Sequence, residues 1–298
     1  MSVTERVHTF GESGSLVGVV TLPPGDDGGL DAKAASRPFV VILNAGLVQR
    51  TGPFRLSVDL ARRLATRGSR VLRFDQWGIG DSPPRGGGAD ADEQAVIATR
   101  AAMSFLTERY GARQYTVGGL CLGAAHAHRV GLVSDRVEGL FLLDGFAYTT
   151  ASSRGRQLVS SLKHVERWPA MGRRLVEIGK ERVLAGVRGA SEEHGPPSSS
   201  PDARTGLLLR KWPPVESVRA DLERMLHRGM RLFFLYTGGW RGFNDVHQFD
   251  EMFPHLPRRD RVTVELHEAA DHTFLDLHDR EAMFASVERF VGAWTEGR

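Results

Sequence analysis

The chain is poor in several things at once, and each scarcity removes a class of protein. It holds one cysteine, Cys121, in 298 residues. A single thiol forms no internal disulfide and no multi-thiolate metal site, so Cys121 is either a small buried filler or a reactive group. No stretch approaches the roughly 18 uninterrupted apolar residues of a membrane span. The opening MSVTERVHTF lacks a basic segment followed by an apolar one, which sets the expectation of a cytoplasmic protein without a transmembrane segment. Lysine is confined to Lys33, Lys163, Lys180 and Lys211, and asparagine to Asn44 and Asn244. Joint loss of the two points to a GC-rich, bacterial genome, with arginine carrying the positive charge. A formal net charge of +3 without a clustered basic face argues against a nucleic-acid partner.

What is present is enough apolar residue, 41%, to bury a real core, and the length suits one large domain or a domain with an insertion. Aliphatic and β-branched runs at 15–22, 38–45, 69–75, 114–120, 137–144, 231–237 and 262–268 read as strands. Helical patterns fall between most of them. In 54–68, Leu56, Leu60 and Leu64 share one face after Pro53 and before Gly68; 91–111 and 280–294 read the same way. Strands alternating with helices predict an α/β architecture, a mostly parallel sheet of about eight strands flanked by helices.

The alternation fails between Asp144 and Arg231. Helical patterns there run into 189–204, a Gly, Pro, Ser and charge-rich loop, so 146–225 is expected to be a helical cap inserted into a core of 1–145 and 226–298. From 151 to 188 nine Arg and Lys face three Glu, a local net of +6 that leaves the remainder near −3. Such asymmetry fits an anionic partner near the cap, such as a carrier-bound or CoA-bound acyl group or a charged lipid surface; a solvated helical face fits it too.

In QYTVGGLCLGAAHAHRVG a strand runs straight into a helix with Cys121 at the corner. A residue there projects above the sheet from a sharp turn, flanking glycines admit close backbone, and the helix N-terminus favours a thiolate. Packing of a small residue in a glycine-rich contact is the competing reading. Other segments bear on the choice: Asn44-Ala45-Gly46, Arg50 to Arg55 in R-x-G-P-x-R, Arg73 to Ser82 in R-F-D-x-x-G-x-G-D-S, and Asp271 to Phe274 in D-H-T-F. Together they resemble the α/β-hydrolase superfamily, and within it the serine-aminopeptidase-like branch that includes exosortase-associated hydrolases, over roughly 1–150 and 226–298.

That resemblance implies a nucleophile at Cys121, where these enzymes usually carry serine, a general base at His272, and an oxyanion hole from the backbone N–H groups of Leu47 and Leu122. The usual acid position fails, since the family wants G-x-x-D and Gly238 is followed three residues later by Arg241. Asp245 is the preferred acid, with Asp144 and Asn244 as alternatives and a two-member site as the remaining possibility. The implied activity is acyl transfer through a thioester, as esterase, thioesterase or acyltransferase, on a small-molecule acyl substrate that CoA or a carrier protein could present. A non-catalytic binding protein with the same fold is the alternative. No cofactor and no metal are expected: His126 and His128 lie two apart on one helix and so face different sides, and GIGDS lacks the lysine of a P-loop.

Overall fold

A computed structural model describes residues 2–30, 37–87, 89–156, 212–238 and 240–293. Among them the strands are β1 (Thr4–Phe10), β2 (Leu16–Leu22), β3 (Phe39–Ile42), β4 (Val71–Asp75), β5 (Tyr115–Leu120), β6 (Val137–Leu143), β7 (Arg231–Thr237) and β8 (Val262–His267). The helices are α1 (Leu56–Thr66), α2 (Ala91–Tyr110), α3 (Leu122–Val133), α4 (Val215–His227), α5 (Gln248–Met252) and α6 (Leu277–Gly292). The strands form one sheet in the order β1-β2-β4-β3-β5-β6-β7-β8. β1 and β4 both run antiparallel to β2, and every other neighbouring pair is parallel.

The central strands read as unbroken apolar runs because helices cover both faces of a parallel sheet. Every residue of β3 and β5 is buried, as is all of β7 beyond its first position. α1 buries Leu56, Leu60 and Leu64. α2 starts where the Asp90 side chain accepts from the N–H of Glu93 and stops at Gly111 in the left-handed region. β1 escaped the sequence reading because it is an edge strand of mixed polar residues, held by its ladder to β2 and by Glu5 bonding Arg62 and Arg73.

The chain divides into two compact units, 1–149 with 213–298, and 150–212. α4 buries Val218, Leu222, Met225 and Leu226 within the first unit, so residues 215–225, expected in the insertion, belong there. Residues 157–211, which include most of the expected cap and its basic stretch, lie outside the described residues. No described helix is long and apolar enough to cross a membrane.

Parallel strands share one carboxyl edge, and whatever follows them gathers there. That edge receives the loop after β3 at 43–50, Asp75 closing β4, Cys121 after β5, Asp144 after β6, the loop after β7 and, beyond β8, His272.

Candidate active site

Cys121 occupies the turn between β5 and α3 with φ 59° and ψ −112°. For a side chain bearing Cβ this is a strained conformation, and it persists only where the surroundings fix it. The surroundings are hydrogen bonds and close backbone. The Cys121 N–H donates to Leu143 O at 2.8 Å, while its carbonyl accepts from Ala124 and Ala125 at the start of α3. A Cβ on Gly118 would stand 2.3 Å from Phe141, one on Gly119 3.0 Å from the Gly123 Cα, and one on Gly123 2.8 Å from Asn44 O. The glycines framing the thiol thus let β5, α3 and the end of β3 approach closer than side chains permit. Cys121 itself is half-buried and packs against the apolar core that includes Leu120, Leu143 and Phe274.

His272 stands in the loop between β8 and α6. Asp271 caps this loop, its Oδ1 accepting from Thr273 N at 2.7 Å and its Oδ2 from Leu275 N at 2.8 Å. The imidazole donates from Nδ1 to Asp144 Oδ2 at 2.6 Å. The Cys121 side chain lies near enough to favour the protonated ring as well, so one imidazole interacts with both the carboxylate and the thiol. Burial of the ring disfavours its charged form, yet the hydrogen bonds and negative charges of Asp144 and Cys121 outweigh burial and raise His272 to about 9.

The carboxylate against His272 is therefore Asp144, not the expected Asp245. Asp144 is fully buried, and Thr237 fixes it by donating its N–H to Oδ1 at 2.7 Å and its hydroxyl to Oδ2 at 2.6 Å. Asp245 accepts from His247 N at 2.7 Å, and the Asn244 N–H donates to Gln248 at 3.1 Å. Both residues line a surface cleft with β8 residues Val264 to His267. The physical reason is length of path: Asp144 leaves β6 two strands from β8, directly on the carboxyl edge, whereas 240–245 turn through a 3-10 segment that carries Asp245 outward to α5. A signal for Asp144 did exist, since an aspartate ending the apolar run VEGLFLLD must fall at that edge.

The loop expected to supply one oxyanion donor is held by a buried polar network. Asn44 donates to Val48 O at 3.0 Å and accepts from Gln76 N at 2.9 Å. Asp75, fully buried, accepts from the N–H and guanidinium of Arg50 and from Asp81 N, and Arg50 also bridges to Asp81 at 2.7 Å. Ser82 donates to Asp75 O and accepts from Val17 N. The residues of the N-A-G and R-F-D-x-x-G-x-G-D-S patterns thereby fix the backbone around Leu47. Among the described residues, neither the Leu47 nor the Leu122 N–H donates a hydrogen bond. Trp240, which no sequence signal singled out, lies flat on the His272 ring, with centroids 4.2 Å apart and planes 3° from parallel.

The fold defined by this sheet and this edge is that of the α/β hydrolases. Solved structures that it resembles over nearly their whole length include an esterase from Pyrococcus furiosus, at 16% identity and a TM-score of 0.55, with 98% of this chain and 92% of that one aligned. A dienelactone hydrolase from Anabaena variabilis aligns over 98% and 99% of the two chains at 10% identity and a TM-score of 0.53. An α/β serine hydrolase homologue from Coxiella burnetii does so over 98% and 96% at 13% identity and a TM-score of 0.52. No protein-family model and no curated protein matches the sequence.

Proposed function

We propose that the protein is an acyl-transfer enzyme that uses Cys121 as nucleophile, His272 as general base and acid, and Asp144 as the group that orients and charges the histidine. One observation carries the proposal: a single imidazole bonded to a buried carboxylate and close enough to interact with a thiol held in a strained strand-to-helix turn. The pieces follow the chain order nucleophile, acid, histidine, which the fold favours.

The chemistry follows from the geometry. With Nδ1 bonded to Asp144, the nitrogen that serves the thiol is Nε2, and His272 takes the Cys121 proton there. Sulfur attacks the acyl carbon, the C–S bond forms and the carbonyl electrons move onto oxygen. The N–H groups of Leu47 and Leu122 are offered to that oxyanion; one such donor is typically worth about 10²–10³ in rate. As the oxyanion collapses, His272 returns the proton to the leaving oxygen or sulfur, and an acyl-thioester remains on Cys121. Water, an alcohol, an amine or another thiol, deprotonated by His272, then attacks the thioester and releases Cys121. The raised affinity of His272 for its proton supports its part in the proton transfers, because the ring that takes the thiol proton holds it readily until the leaving group needs it.

Small esters or thioesters are the substrates in this reading. The net charge of +6 over 151–188 makes an acyl group carried on CoA or on a phosphopantetheine arm the favoured natural donor. Turnover of p-nitrophenyl acetate and of acetyl-CoA by the wild type, lost in Cys121→Ala and in His272→Ala, is the expected result. Equal rates in all three proteins would refute the proposal.

A further inference from the structure

We infer that Trp240 is the positioning residue for His272: the loop after β7, which carries no acid at the G-x-x-D place, instead supplies an aromatic plate that sets the plane of the imidazole. This rests on the reading of His272 as the base and adds to it a residue that neither the fold nor the sequence motif assigns.

The Asp144 bond alone leaves the imidazole free to swing about the line from Nδ1 to the carboxylate, and such a swing moves Nε2 away from sulfur. A hydrogen bond fixes a point; a stacked ring fixes a plane. The indole is itself held, because Trp240 Nε1 donates to Gly145 O at 2.9 Å. Gly145 directly follows Asp144, so the acid that bonds the imidazole edge and the carbonyl that pins the plate above its face belong to consecutive residues. The imidazole and its plate therefore share one rigid mount at the end of β6.

The stack has an electrostatic side as well. An imidazolium on an indole face is attracted by the ring's π electrons, and indole is the best of the aromatic faces for it. The titratable and charged groups facing the pair are Asp144 and Cys121 on the imidazole and Arg241, whose guanidinium carbon lies 5.5 Å from the Trp240 ring. Two of these favour the protonated ring, and the plate covers a face of a side chain that keeps 34% of its surface exposed. Trp240 thus favours the state in which His272 holds the proton.

Two readouts test this without assuming a substrate. Cys121 is the only thiol, so iodoacetamide uptake at neutral pH reports it alone. Trp240→Leu, which stays apolar but loses the π face and the ring's area, is expected to slow alkylation by roughly 3- to 30-fold, and Trp240→Phe, which keeps an aromatic face, to stay within about 3-fold of wild type. A protonated imidazole quenches a stacked indole, so the emission missing from Trp240→Phe should rise as pH passes through about 9, and the rise should vanish in His272→Gln. Loss of both effects, with Trp240→Leu alkylated at the wild-type rate and no emission step, would overturn the inference even if the enzyme turns over esters. Absence of ester and thioester turnover with both effects intact would instead refute the proposed activity and leave the stack standing. Should Trp240→Leu fail to fold, the emission step and its loss in His272→Gln decide alone.

Discussion

Asp144→Asn separates the charge of the acid from its shape. In the wild type Oδ1 accepts from the Thr237 N–H, while Oδ2 accepts from both the Thr237 hydroxyl and His272 Nδ1. An amide keeps the first bond through its oxygen. Its NH2 then stands where two donors converge, and one must turn around. For His272 that means presenting a bare Nδ1 and holding its proton on Nε2, toward sulfur, the form that cannot accept the thiol proton. The expected loss in kcat/KM is about 10²–10⁴, or about 3–5 kcal/mol of transition-state stabilisation. The pH profile moves too. Asp144 contributes to holding His272 near 9, and burial acts in the opposite direction, so the basic limb of the wild-type profile near 9 should shift to lower pH in the variant. Hydrolysis of p-nitrophenyl acetate across pH 6 to 10, with urea unfolding to confirm the fold, measures both effects. Asp245→Asn is the control, expected within about 3-fold of wild type because its carboxylate caps the loop before α5. Wild-type rates in Asp144→Asn, or the loss appearing in Asp245→Asn, would refute the reasoning.

Other expectations follow from the same geometry. Gly118→Ala puts a methyl 2.3 Å from both the ring and the carbonyl oxygen of Phe141, backbone that cannot move aside, so urea unfolding should show a cost of about 1–3 kcal/mol or a chain that does not fold. Asn44→Ala leaves the buried Gln76 N–H without its acceptor and loosens the loop carrying Leu47; a stability loss of about 1–3 kcal/mol should accompany a lower kcat with the Cys121 alkylation rate preserved. His128 is buried against Phe146, and burial, only partly offset by the charge of Asp221, lowers it to about 4. Its folded value lies below its unfolded one, so stability is full above pH 6.5 and declines as pH falls from 6.5 toward 4, by on the order of 3 kcal/mol at most. Urea midpoints measured over that window should fall, and His128→Gln should flatten the trend. His272 has the opposite sign: its contribution to stability is present below 6.5 and is lost as pH rises through about 9.

The sheet was largely legible because β-branched runs of four to eight residues between glycine and polar turns leave few alternatives, and each of the seven apolar runs overlies a strand. β1 was not, since TERVHTF at a sheet edge needs no apolar face on its outer side. Cys121 and His272 were legible as a pair because each directly follows a recognisable element and the fold brings both to one edge. The acid was not. Asp144, Asn244 and Asp245 all follow strands whose ends meet at that edge, and only the path of the 240–245 turn decides which one reaches the imidazole. Trp240 had no signature at all, because stacking depends on where two loops from different strands cross.

The central claim is that sulfur and imidazole act together on an acyl group, and the covalent intermediate tests it most directly. Mass measurement of the intact chain, quenched in acid after brief exposure to p-nitrophenyl acetate, should show one added acetyl group that peptide mapping assigns to Cys121. The adduct should be absent from Cys121→Ala and strongly reduced in His272→Ala. An unmodified Cys121 in a wild type that is turning over substrate, or an adduct that forms equally fast without His272, would contradict the account.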